Sequence, residues 1–130
     1  MSYLGIVIEQ SLKDQTILSE LTILGEKQIG GWTLLLVSVS SGEELSPLLQ
    51  KLQNHMIDAQ EDCWYAHFFS NEWMFIVYEN ALFETSLLPE DWDEAIRHGM
   101  SYNIPLEQLD FKPRTKKDVL ELFGISENSG

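Results

Sequence analysis

Chemistry in this chain would have to start from Cys63, its only thiol, and from three histidines, His55, His67 and His98. Cys63 and His67 stand four residues apart in an aromatic, strand-forming stretch, so they would share a face. At roughly 3.3 Å per residue their Cα atoms lie about 13 Å apart. That is too far for a thiolate–imidazolium pair or for two ligands of one metal. Cys63 then reads as a small buried hydrophobe, and a single cysteine excludes an intramolecular disulfide or a Cys-based zinc cage. His55 flanks an apolar helical stripe and His98 lies beside another; neither belongs to an H-x-x-x-H or H-E-x-x-H pattern. Glu90-Asp91-Trp92-Asp93-Glu94 lacks the glycine and spacing of a calcium loop and suits the positive end of a helix dipole. Gly30-Gly31 has no phosphate-loop sequence around it, and Glu61-Asp62 reads as a solvated turn. No metal or cofactor is expected, and no motif identifies a catalytic residue.

The aromatic stretch is the richer candidate. Cys63–Phe69 and Trp73–Tyr78 read as strands joined at Ser70-Asn71, with a second turn at Glu79-Asn80 and a third strand over Ala81–Ser86. With a two-residue turn at Ser70-Asn71, Tyr65 faces Ile76 and His67 faces Met74. Tyr65, His67, Phe69, Met74, Ile76 and Tyr78 then share one face. Trp64, Ala66, Phe68, Trp73, Phe75 and Val77 share the other, assigned to a helix-packed core. An aromatic face carrying one titratable imidazole must be covered. Three covers fit: a second copy, a ligand, or the chain's own C-terminal segment.

The elements that would position this face follow from hydrophobic period and punctuation. Leu4-Gly5-Ile6-Val7-Ile8 is a buried strand. Asp14–Leu21 has Ile17, Leu18 and Leu21 at helical spacing, with Thr22-Ile23-Leu24 as the alternative opening of a strand. Trp32–Ser40 alternates Thr33, Leu35, Val37 and Val39 with Trp32, Leu34 and Leu36, apolar on both faces, which predicts a central strand. Ser41-Gly42-Glu43-Glu44 matches a capping box ahead of a helix with Leu45, Leu48, Leu49, Leu52 and Met56 on one stripe. Pro89 opens a second helix that buries Trp92, Ala95, Ile96 and Gly99, and Asn103 suits a left-handed C-cap. Residues 1–111 read as one domain. Lys112-Pro113-Arg114 is a linker, and Thr115 caps a short amphipathic helix bearing Leu120 and Phe123. Together these predict an α+β fold with an antiparallel sheet and helices mainly on one face, a ferredoxin-like sandwich with an extra strand.

Three stretches carry a resemblance: Gly5-Ile6-Val7-Ile8-Glu9-Gln10-Ser11-Leu12, Trp64-Tyr65-Ala66-His67-Phe68, and His98 to Pro105 through Gln108-Leu109-Asp110-Phe111. They resemble a family of small uncharacterised prokaryotic α+β proteins, over roughly residues 3–111. The resemblance implies a fold and defines no site residue.

Composition bounds the rest. The 130 residues are 44% hydrophobic and 22% charged, as in an ordinary folded domain. No apolar run reaches the length of a membrane span, and no basic region precedes the apolar N-terminal stretch, so no signal peptide is expected and a cytoplasmic location follows. Twenty-one acidic residues against eight basic ones give a net charge of −13, and half of the basic groups sit at Lys112, Arg114, Lys116 and Lys117. So negative a body repels phosphate backbones and anionic membranes and attracts basic partners. The leading expectation is a binding or interaction module, a homodimer through the aromatic face, ahead of an enzyme. The alternatives are a small-molecule-binding protein or enzyme with a pocket near His67, and an acidic adaptor that docks a basic protein.

Overall fold

The computed structural model describes residues 3–58, 60, 64–70, 73–104, 121, 123 and 124. Within them lie six strands, β1 (Tyr3–Ile8), β2 (Thr22–Ile29), β3 (Trp32–Val39), β4 (Tyr65–Phe69), β5 (Trp73–Tyr78) and β6 (Ala81–Ser86), and two α-helices, α1 (Gly42–His55) and α2 (Asp93–Ser101). The strands form one antiparallel sheet in the order β2-β3-β1-β4-β5-β6. β3 is a central strand, as its two apolar faces require. Three of the five connections are hairpins, and two are crossovers. The chain from β1 to β2 passes β3, to which both are antiparallel. The β3–α1–β4 crossover straddles β1: β3 and β4 both run antiparallel to β1 and hence parallel to each other. This order does not establish a ferredoxin-like sandwich, although the α+β class and the antiparallel sheet hold.

Both faces of the sheet are covered. One core contains Val7, Leu35, Val37, Phe68 and Val77 beneath Leu45, Leu49 and Leu52 of α1. The other contains Leu4, Leu36, Met74, Ile76 and Tyr78 beneath Trp92 and Ala95, which belong to α2 and the residue that caps it. Because residues alternate sides along each strand, these cores lie on opposite faces. The expectation of helices mainly on one face is therefore corrected. The physical reason is that the strands are apolar on both sides, so each side needs its own helix.

Local signals explain the ends of the elements. Ser41 Oγ accepts from the Glu44 amide at 3.3 Å, but the Glu44 carboxylate takes the Ser40 hydroxyl at 2.6 Å instead of closing the capping box. Asn103 has φ 71° and follows Tyr102, whose amide, like that of Ile104, returns to the Gly99 carbonyl, both at 3.1 Å. The segment 14–21 is a single 3-10 stretch, Gln15–Glu20, capped by Asp14 at 3.0 Å from the Thr16 amide, and the strand reading holds from Thr22 onward. That bond holds the Asp14 carboxyl below its usual range. A two-residue turn with Gly30 at φ 61° joins β2 to β3.

One register differs from expectation. Tyr65 pairs with Tyr78, His67 with Ile76 and Phe69 with Met74. Ser70 is a paired residue and not part of the turn: its amide donates to the Trp73 carbonyl at 2.9 Å, and its hydroxyl accepts from the Trp73 amide at 3.2 Å. The shift is two residues, so every side chain keeps its face. At the sheet's centre Gly5 pairs with Phe68, and a Cβ on Gly5 would stand 2.3 Å from the Phe68 ring. The ring occupies the place of that missing side chain.

Candidate functional site

The six residues of the expected aromatic face do lie on one face, but the chain itself uses most of that face. Phe69, Met74, Ile76 and Tyr78 are buried, while Tyr65 and His67 are half-buried. The cover is α2, joined by Ile104 and by Phe123 from the C-terminal segment. Glu121 is helical, and Gly124, with φ 71°, donates its amide to the Glu121 carbonyl at 3.0 Å; the rest of the expected linker and tail helix, and Cys63, fall outside the described residues.

Under α2 the aromatic rings form a continuous row. His67 lies between Phe69 and Tyr65, with centroids 6.1 Å and 6.2 Å away, and Tyr65 meets Tyr78 at 6.1 Å. Tyr78 anchors the row to the helix: its buried hydroxyl donates to the Ala95 carbonyl at 2.7 Å. From the other side of the sheet, Gln53 of α1 donates to the Tyr78 and Ala81 carbonyls at 2.9 Å and 3.1 Å, holding the β5–β6 hairpin.

The row ends at a histidine that no sequence pattern singled out. The His98 ring packs on Tyr78 at 4.6 Å, Tyr102 at 5.2 Å and Phe83 at 5.6 Å. Its Nε2 is 2.9 Å from Asn80 Oδ1, and the Asn80 amide donates to the Tyr102 hydroxyl at 2.7 Å. With the Asn80 amide oriented so that its oxygen faces the ring, the contact is made by the tautomer that carries its proton on Nε2. Burial holds the His98 pKa below its ordinary value. The only hint in the sequence was the four-residue spacing of His98 and Tyr102 on one helix face.

Apolar surface is exposed at the two margins of the sheet. Ile23, Leu24, Ile29 and Trp32 are 39–47% exposed on the β2–β3 hairpin, and Trp73 and Leu82 are 44–45% exposed on β5 and β6. Trp73 thus leaves the helix-packed core to which its parity assigned it. Trp32 meets Trp64 edge-on at 5.4 Å, and the Trp64 indole nitrogen is buried without a hydrogen-bond partner among the described residues. No group of three metal-ligating side chains is found among the described residues, and no helix there is long and apolar enough to cross a membrane.

No family model, curated protein or solved structure matches the chain. The described parts of the three familiar stretches lie in β1 and the turn after it, in β4, and at the end of α2; residues 105–111 of the third fall outside the described residues.

Proposed function

We propose that this protein is a small cytoplasmic interaction module that associates with a second copy of itself through the margin formed by β2 and Trp32, and not through the aromatic face. The observation that carries the reading is the contrast in burial: Met74, Ile76 and Tyr78 are fully buried, whereas Ile23, Leu24 and Ile29 are exposed on β2, the edge strand of the sheet among the described residues, and Trp32 is exposed at the adjoining start of β3. Long edge strands with apolar side chains recruit further strands unless charge or covering prevents it. β2 has a bulge between Ile23 and Gly25 but only one charge of each sign, Glu26 and Lys27, so a copy meets no net local repulsion. A dimer through the aromatic face would first have to displace α2. With a net charge of −13, nucleic acid and anionic membranes are unsuitable partners. The β3–α1–β4 unit around β1 is the one part that a ferredoxin-like arrangement would share.

The test is Ile29→Lys, which places a charge on the exposed edge. It should leave the fold intact and shift self-association toward monomer by at least about tenfold. A variant that associates as the parent does would remove β2 from the interface.

A second reading, a ligand or catalytic site near a histidine, finds its support at His98 and not at His67, because an oriented imidazole, an amide and a phenol meet there. Its test is a fragment screen read by NMR, in which a binder must move the His98 and Tyr102 resonances together.

A further inference from the structure

We infer that the opposite edge of the sheet, β6, is a docking site for an extended, basic segment of another protein, added as a seventh strand. The inference deepens the interaction-module reading and uses a different surface from the β2 margin.

The backbone sets what can bind. Tyr78 and Ala81 close a two-residue hairpin, and such a closing pair exchanges both of its N–H···O bonds. Ala81, Phe83 and Thr85 therefore direct their main chains toward β5, while Leu82 and Glu84 direct theirs outward. The open stretch ends at Ser86, whose carbonyl already accepts from the Trp92 indole at 3.1 Å and the Thr85 hydroxyl at 2.9 Å. Two residues thus offer main-chain donors and acceptors to a newcomer, enough for a short strand addition.

Side chains select the newcomer. Leu82 and Glu84 lie on the α1 face of β6, and both are exposed. Trp73, 45% exposed, and the half-buried Phe75 stand beside them on the same face of β5. An added strand would place one side chain opposite Leu82, where an apolar group is favoured, and one opposite Glu84, where Lys or Arg is favoured. The surroundings reinforce the second choice. Residues 73–101 carry six carboxylates and a single basic group, Arg97. A second copy would bring this acidic rim against its own kind, so β6 does not serve the homodimer. A basic partner gains from the rim both in encounter rate and in register.

The probe is a synthetic peptide of about twelve residues alternating Lys and Val, long enough for one strand, added to the full chain at low salt. Binding is followed by Trp fluorescence, and the site by amide hydrogen exchange at Leu82 and Glu84. The expected result is binding that protects those two amides and weakens as salt is raised. Glu84→Lys should weaken it at least about tenfold. Leu82→Pro should also weaken it, because it removes an outward N–H without breaking a ladder bond. Glu20→Lys, the same change of charge beside β2, should leave it within about twofold of the parent. Solution mass is recorded in parallel, so loss of self-association and loss of peptide binding are read separately. The proposal is overturned by absence of binding, by binding that all three variants weaken alike, or by salt-sensitive binding without amide protection. It is equally overturned if the Leu82 and Glu84 amides are already protected in the full chain alone, since the chain's own basic stretch, Lys112 to Lys117, would then hold the edge.

Discussion

At one edge of the sheet β2 runs for eight residues, all of them exposed except Gly25. At the other, β6 runs for six and alternates, exposing Leu82 and Glu84 while its remaining residues are half-buried. β2 extends beyond the reach of both helices, so neither of its faces is packed. β6 lies beside α2, so one face is covered and only the other is open. Their charges differ as well. The β2–β3 hairpin, residues 22–39, holds just Glu26 and Lys27, whereas the region around β6 is strongly acidic. A neutral, apolar edge tolerates a copy of itself; an acidic one excludes its copy and selects a basic partner. On the proposed reading, one sheet would offer two kinds of contact, one at each edge.

The largest effect expected within the fold is at the centre, between the two edges. Gly5→Ala drives a methyl group into the Phe68 ring and should cost about 1–3 kcal/mol in urea unfolding. A cost below about 0.5 kcal/mol would mean that the β1–β4 contact is looser than described. Tyr78→Phe should cost about 1 kcal/mol, because it removes the bond to the Ala95 carbonyl and keeps the ring. Substituting the edges should cost less. Ile23→Ser and Leu82→Ser are each expected to change stability by no more than about 0.5 kcal/mol. If either matched Gly5→Ala, that edge would be core and not a contact surface, and the comparison between the two would collapse.

The smallest effect is in pH dependence. Burial lowers the His98 pKa, so in the window just below the ordinary histidine value of about 6.5 the unfolded chain binds more protons than the folded one. The stability of the neutral ring is complete above that value, falls as pH drops through it toward the folded pKa, and then levels off. His98→Gln should flatten this part of the profile measured by urea unfolding. An unchanged slope would show that the ring is not desolvated in solution.

Much of the architecture was legible because its signals were periodic. The composition of the aromatic face followed from alternation along β4 and β5, and it survived a register error because that error was two residues. The placement of α2 was not legible. Trp92, Ala95, Ile96 and Gly99 announce a buried stripe, but strands that are apolar on both sides do not say which side receives it. The His98 cluster was hidden for a different reason. Asn80 lies 18 residues away in a hairpin turn, and only the folded hairpin brings it to the ring. Trp73 was misread because parity assigns a side, not a depth; near the end of β5 the side is right and the cover is missing.

The most direct test of the central claim is the solution mass of the full chain across concentration at low and moderate salt, alongside Ile29→Lys. The account predicts a dimer that strengthens with salt, as screening relieves repulsion between two acidic bodies, and that Ile29→Lys disrupts. A chain that stays monomeric at every concentration, or a dimer indifferent to Ile29→Lys, would contradict it.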